Sequence, residues 1–298
     1  MADIRVCIDG GFLLGEVPNW DVATERLWFI DGLGGKLLSC DADGGNLASW
    51  GMGCVIGSYA LRESGGAIVA LETGLHTFDL DSGAFSLIAH PEAGKQGMRL
   101  NDGRVDARGR FVVGSLDLGS LDVERTPDTS GGTLYRLDPD LSLHVLERGV
   151  TISNGIAWSP DDRTFYFADC MIDRIYAYDW NSDSGMPSNR RLFAQTEKGA
   201  IPDGACVDAE GGYWFVTNGA ATGVGEVRRL APDGSLDRVI TMPVACPTSL
   251  CFGGADLDVL YVTTMNMPTT AKASPHDGAL FAIHGTGARG LPQRRFAG

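Results

Sequence analysis

Asn154-Gly-Ile-Ala-Trp-Ser, followed closely by Thr164-Phe-Tyr-Phe-Ala-Asp, decides the fold, because the same pattern returns along the whole chain. A polar residue opens the segment, Asp or Gly follows, and a β-prone apolar run comes next. Upstream lie Glu16-Val-Pro-Asn-Trp-Asp with Arg26-Leu-Trp-Phe-Ile, a weaker Gly57-Ser-Tyr-Ala-Leu-Arg with Gly66-Ala-Ile-Val-Ala-Leu, and Asn101-Asp-Gly-Arg-Val-Asp with Arg110-Phe-Val-Val-Gly. Downstream lie Asp203-Gly-Ala-Cys-Val-Asp with Gly212-Tyr-Trp-Phe-Val, and Thr248-Ser-Leu-Cys-Phe-Gly with Val259-Leu-Tyr-Val-Thr. From 16 to 57, 101, 154, 203 and 248 the spacings are 41, 44, 53, 49 and 45 residues. That period fits one four-stranded blade per repeat.

Third strands such as Lys36-Leu-Leu-Ser-Cys, Gly132-Thr-Leu-Tyr-Arg-Leu, Arg174-Ile-Tyr-Ala-Tyr and Glu226-Val-Arg-Arg-Leu follow. They are expected to run into turns at Asp41-Ala-Asp-Gly, Asp138-Pro-Asp, Asp179-Trp-Asn and Pro232-Asp-Gly. No long stretch has helical periodicity. The expectation is an all-β, six-bladed β-propeller with four-stranded antiparallel blades, forming one domain over residues 1–298. A β-sandwich would not repeat one pattern six times. Ring closure is expected from Ile4-Arg-Val-Cys-Ile pairing near Leu280-Phe-Ala-Ile, which removes open edges.

Composition narrows the function. Lys+Arg number 24 against 38 Asp+Glu, a formal charge of −14, which disfavours nucleic acid and anionic membranes as partners. The 41 glycines have no collagen-like period and mark turns and bulges. Seven cysteines without CxxC spacing read as free thiols in a reducing compartment. Met1-Ala-Asp-Ile-Arg-Val lacks the basic and apolar regions of a secretory leader, and no stretch reaches membrane-span length. A cytoplasmic protein is expected.

In a propeller the first strand of each blade lines the central channel, so equivalent positions face one another. Here they are Glu16, Gly57, Asn101, Asn154, Asp203 and Thr248. Five carry side-chain oxygens and two are carboxylates, a donor set suited to one hard divalent cation. Taken singly, Asn154-Gly and Asp203-Gly are common turn dipeptides and Glu16 could cap a strand. Turn chemistry does not demand a shared register in every blade, and that coincidence favours a site. Other machinery is missing: the five histidines form no HExxH, there is no GxSxG elbow, and Gly32-Leu-Gly-Gly is no dinucleotide fingerprint.

At these residues the chain resembles the SMP-30/gluconolactonase/regucalcin family of six-bladed propellers. The resemblance is carried by Leu14-Gly-Glu-Val-Pro-Asn-Trp, Arg99-Leu-Asn-Asp-Gly-Arg-Val-Asp, Ile152-Ser-Asn-Gly-Ile-Ala-Trp-Ser-Pro-Asp, Ile201-Pro-Asp-Gly and Pro247-Thr-Ser-Leu-Cys-Phe-Gly-Gly-Ala-Asp-Leu-Asp. It implies a single divalent metal held by Glu16, Asn154 and Asp203, with Asp203 also the catalytic acid/base. It also implies that Arg99 and Asn101 contact substrate hydroxyls. The implied activity is hydrolysis of a sugar (aldono-) lactone to the aldonic acid. The mixed carboxylate–amide set leaves Ca²⁺, Zn²⁺, Mg²⁺, Mn²⁺ and Fe²⁺ open.

The chain departs from the family pattern at two places near the expected substrate pocket. Gly114-Ser-Leu-Asp-Leu-Gly offers Asp117 where some relatives carry a glutamate, and Thr217-Asn-Gly-Ala stands where a Trp-Gly stretch is common. Competing readings are an esterase, phosphotriesterase or other lactone hydrolase on the same metal, and a non-catalytic calcium-binding or protein-interaction propeller. The polar Arg99 and Asn101 favour a polyhydroxylated small molecule.

Overall fold

In the computed structural model, residues 2–118, 131–266 and 274–298 are described. Among them there are 24 strands and no α-helix. A short strand β1 (Asp3–Ile8) precedes the first blade, β2 (Gly15–Asp21), β3 (Arg26–Asp31), β4 (Lys36–Cys40) and β5 (Ala48–Gly51). The second blade is β6 (Ile56–Leu61), β7 (Ala67–Leu71), β8 (Gly74–Phe78) and β9 (Phe85–Ala89). The third is β10 (Met98–Val105), β11 (Phe111–Asp117), β12 (Gly132–Leu137) and β13 (Leu143–Val150). The fourth is β14 (Ser153–Trp158), β15 (Thr164–Asp169), β16 (Arg174–Asn181) and β17 (Met186–Gln195). The fifth is β18 (Ile201–Val207), β19 (Tyr213–Asn218), β20 (Glu226–Leu230) and β21 (Leu236–Thr241). The sixth holds β22 (Pro247–Gly253), β23 (Val259–Thr264) and β24 (Leu280–His284).

Each blade is a four-stranded antiparallel meander, and the expected propeller is what forms. The sixth blade takes its outer strand from the other end of the chain: β1 pairs antiparallel with β24, Ile4 opposite Ile283 and Arg5 opposite Ala282. This is the closure expected from the two sequence segments. The inner strands pack in the order β2, β6, β10, β14, β18, β22 and back to β2, which encloses the channel.

Burial explains the strand order. Inner strands such as β6 and β22 are buried throughout, while outer strands β17 and β21 are mostly exposed. Aromatic and branched side chains fill the seams between blades; Trp214, Val216, Leu250, Phe252 and Phe281 form one such layer between the fifth and sixth. All seven cysteines are free, five of them buried. Among the described residues no helix is long and apolar enough to cross a membrane.

One expected turn is displaced. Asp179-Trp-Asn lies inside β16, with Trp180 opposite Pro187, and the chain reverses only at 182–185. Trp180 is buried against Phe165 and Trp158, and this packing carries the strand past the point where the acidic residue suggested a stop.

Candidate metal and substrate site

Every inner strand carries an irregularity at the position singled out by the repeat. In β14, Asn154 faces Ala168 but Ala157 faces Tyr166, so the inner strand holds one residue more than its partner. The same excess occurs after Glu16 in β2, at Gly57 in β6, after Leu100 in β10, after Pro202 in β18 and before Ser249 in β22. A β-bulge bends the strand and re-aims a side chain. Six bulges in register therefore turn one position per blade out of the ladder.

The backbone at two of them is unusual. Gly155 has φ +61, and a Cβ there would lie 2.4 Å from Tyr213 Oη and 2.8 Å from Ala168 Cβ. Val17, buried and β-branched, also has a positive φ of 47°, and its N–H donates to Glu16 Oε2 at 3.1 Å. Such a conformation is strained for a branched residue and persists only where its surroundings impose it.

Of the six equivalent positions, four contribute to one constellation and two do not. Gly57 has no side chain because a Cβ would lie 2.2 Å from the Leu100 carbonyl oxygen of β10. Thr248 points away: its hydroxyl donates to the Gly15 carbonyl and lies 3.0 Å from Thr263 Oγ1, tying the sixth blade to the first. The expected ring of five oxygen donors is therefore smaller.

Two of the four, Asn101 and Asn154, are linked with Arg99 by a directed hydrogen-bond chain. Arg99 Nη1 donates to Asn101 Oδ1 at 2.9 Å and to the Leu100 carbonyl at 3.0 Å. Asn101 Nδ2 donates to Asn154 Oδ1 at 3.1 Å and to the Ser153 carbonyl at 2.9 Å. Asn154 Nδ2 donates to Cys170 Sγ at 3.0 Å, and that thiol donates to the Pro202 carbonyl at 2.7 Å. Asp203 is the next residue. The chain thus runs from β10 through β14 and the turn at Cys170–Ile172 to β18.

The carboxylates are held under electrostatic stress. Burial and then the Glu16 and Asp102 charges push Asp203 well above the usual carboxylate range. Glu16 is raised to about 8 by burial and the Asp102 charge. Asp102, buried on β10, is itself raised by burial. Asp203 Oδ1 and Asp102 Oδ1 are buried without a hydrogen-bond partner. Burial lowers Arg99 to about 10, against the pull of Glu16 and Glu72. Burial, with the Asp203 charge second, keeps the Cys170 thiol protonated.

These groups fit a divalent cation. An orphaned carboxylate oxygen, a second carboxylate that repels it and an amide with one unused lone pair are what such an ion would satisfy. Among the described residues no three His, Cys, Asp or Glu side chains are gathered as a metal cluster, so a site here depends on the Asn154 amide.

Sequence reasoning missed two members. In the sequence Asp102 reads only as part of the Asn-Asp-Gly motif, and Cys170 only as a free thiol. The available signal for Cys170 was its place just beyond β15, the strand that pairs with the Asn154 segment. The two departures resolve differently. Asp117 ends β11 opposite Met98 beside the Arg99 strand, whereas Asn218 uses its Oδ1 to accept the Ala220 N–H within a turn. Gly119, the last residue of the first segment, lies outside the described residues.

A six-bladed propeller with bulged inner strands aiming carboxylates and amides into one end of its channel defines a class of small-molecule sites rather than one chemistry. The family model described as "SMP-30/Gluconolactonase/LRE-like region" matches residues 14–266, and the chain belongs to that family. It is 33% identical to regucalcin of Xenopus laevis, covering 99% of this chain and 98% of the relative. It is 35% identical to 6-deoxy-6-sulfogluconolactonase of Pseudomonas putida, covering 96% of each. Among solved structures, a calcium-binding regucalcin from Agrobacterium tumefaciens superposes with a TM-score of 0.86 at 25% identity, over 99% of this chain and 97% of that one.

Proposed function

We propose that this protein is a lactone hydrolase that opens a sugar lactone to the aldonic acid with the help of one divalent metal ion, and that it works in the cytoplasm. The observation that carries the reading is the buried, partnerless Asp203 Oδ1, raised by the Glu16 charge and one residue beyond the Pro202 carbonyl where the chain of donors from Arg99 ends. The names of the Pseudomonas putida relative and of the family point to the same substrate class.

Glu16, Asn154 and Asp203 would hold the metal. When bound, the cation supplies a Lewis acid that polarises the lactone carbonyl, and a positive charge that keeps the two carboxylates ionised at neutral pH. The protein does the rest. Ionised Asp203 accepts a proton from the water whose oxygen bonds to the carbonyl carbon. When the carbon–ring-oxygen bond breaks, the leaving oxygen takes that proton back, and water has been added across the ester. Arg99, part-exposed at the mouth, orients the substrate's hydroxyls with its planar fork. Asn101 has both amide hydrogens committed to Ser153 and Asn154, so its contribution is to hold Arg99 and Asn154 in place.

The test is acid release by metal-defined protein from a panel of aldono-1,4- and 1,5-lactones. Asp203→Asn and Asp203→Ala should each lower kcat by about 100-fold or more, the range of a lost acid/base. A wild-type protein that opens none of the lactones, or variants that retain full turnover, would overturn the assignment.

A further inference from the structure

Asn154 is useful to a cation only when its amide oxygen, not its nitrogen, faces the channel. A primary amide is nearly symmetric in shape, so packing alone chooses poorly between its two orientations; hydrogen-bond partners choose instead. Two groups of fixed character stand at the ends of the chain described above. The Arg99 guanidinium can only donate, and the Pro202 carbonyl can only accept. With Pro202 taking the single thiol hydrogen at 2.7 Å, Cys170 Sγ is left as an acceptor. It therefore demands an N–H from Asn154, which it receives at 3.0 Å. That turns Asn154 Oδ1 toward Asn101, where one lone pair is used and the second is left over.

We infer that Cys170 is a positioning residue of the site: its thiol, together with the Asp203 carboxylate that also accepts from the Asn154 amide, fixes the orientation of that amide and ties the side chain to the backbone immediately before Asp203. The residue is buried, 2% exposed, on the turn Cys170–Ile172 that follows β15. Buried there, it acts through Asn154 rather than on substrate or cation. It couples two candidate ligands from neighbouring blades through one donor and one acceptor, a task a hydroxyl can also perform but a methyl cannot.

The calorimetric arm rests on the metal reading proposed above; the structural arm does not. In the first, the full-length protein, Cys170→Ser and Cys170→Ala are titrated with Ca²⁺ and with Mn²⁺ alone. Cys170→Ala should bind the preferred ion at least about 10-fold more weakly, as for lost supports of metal ligands, and Cys170→Ser within about threefold of wild type. Lactone kinetics should follow the same order, falling in the alanine variant and restored by serine, with thermal unfolding of all three proteins as the control on folding. Equal affinity and turnover of wild type and Cys170→Ala would overturn the role. In the second arm, a metal-free crystal structure of Cys170→Ala should show the Asn154 side chain displaced from Asn101. An undisturbed Asn154 there overturns the inference even if the wild type binds no metal, whereas a displaced Asn154 with no metal binding by the wild type leaves the relay standing and removes the metal.

Discussion

At the scale of single residues, the site is made by residues that cannot be exchanged for geometric rather than chemical reasons. Gly155 is the clearest. Its φ of +61 lies where only glycine rests without strain, and Tyr213 Oη donates to its carbonyl at 2.8 Å while occupying the space a Cβ would need. Gly155→Ala should therefore destabilise the fold by about 1–3 kcal/mol, the cost of one strained backbone position, and shift Asn154 with it. Thermal unfolding together with cation titration would check this; an alanine variant with unchanged stability and affinity would contradict it. Val17, which is not glycine, stores strain of this kind next to Glu16. Both positive-φ positions follow directly on a candidate ligand, where the backbone turn helps to aim a side chain.

At the scale of elements, the repeated unit is an inner strand with one residue too many. The excess sits at the same place in six blades and converts a continuous ladder into a ring of positions turned out of the ladder. The segment after β24 is the other element of consequence. Gly290 N–H donates to the Leu257 carbonyl, Ala209 N–H donates to the Arg289 carbonyl, Arg294 pairs with Asp162, and Arg295 pairs with Asp21. It ends with Phe296 fully buried among Ala60, Ile68, Leu100 and Phe111, so it straps blades together that are far apart in sequence. Phe296→Ala should cost about 3–5 kcal/mol, as for other buried phenylalanines, and lower Tm by several degrees with lactone KM unchanged. A loss of activity at full stability would instead mean that the strap communicates with the site.

At the scale of the whole molecule, one buried arginine bridges inner strands from opposite sides of the channel. Arg104, buried on β10, donates to the Pro18 carbonyl of β2 at 2.8 Å and to the Leu250 carbonyl of β22 at 3.3 Å. It thus reaches across the channel, and its charge opposes the rise of both carboxyls, after the Val17 N–H bond at Glu16 and ahead of three backbone N–H bonds at Asp102. These carboxylates give the metal-free protein a defined pH response. Glu16 titrates at about 8 when folded against 4.5 ordinarily, so between those values the folded chain holds the proton more tightly than the unfolded chain. Its contribution to stability is complete below about 4.5 and is lost as pH rises through about 8. Asp203 and Asp102 act in the same direction. Carboxylates with lowered values, such as Asp208, act at lower pH. Chelator-treated protein should lose Tm as pH is raised from about 5 to about 9, and Glu16→Gln should flatten the slope. A Tm that climbs through this window would mean that the carboxylates do not share one buried space.

The blade count, the closure of the ring by β1 and β24, and the register that brings Glu16, Asn101, Asn154 and Asp203 together were all legible in the sequence. Each follows from local alternation repeated at a near-constant interval, and a period survives without knowledge of what packs where. The non-participation of Thr248, the extension of β16 through Trp180, and the membership of Cys170 and Asp102 were not legible. Those depend on which atoms of neighbouring blades come within hydrogen-bond or packing distance, and no periodicity in one chain encodes the approach of another blade's backbone. The repeat therefore determined where a site could form, while the contacts across the channel decided which side chains face it and how their protons are held.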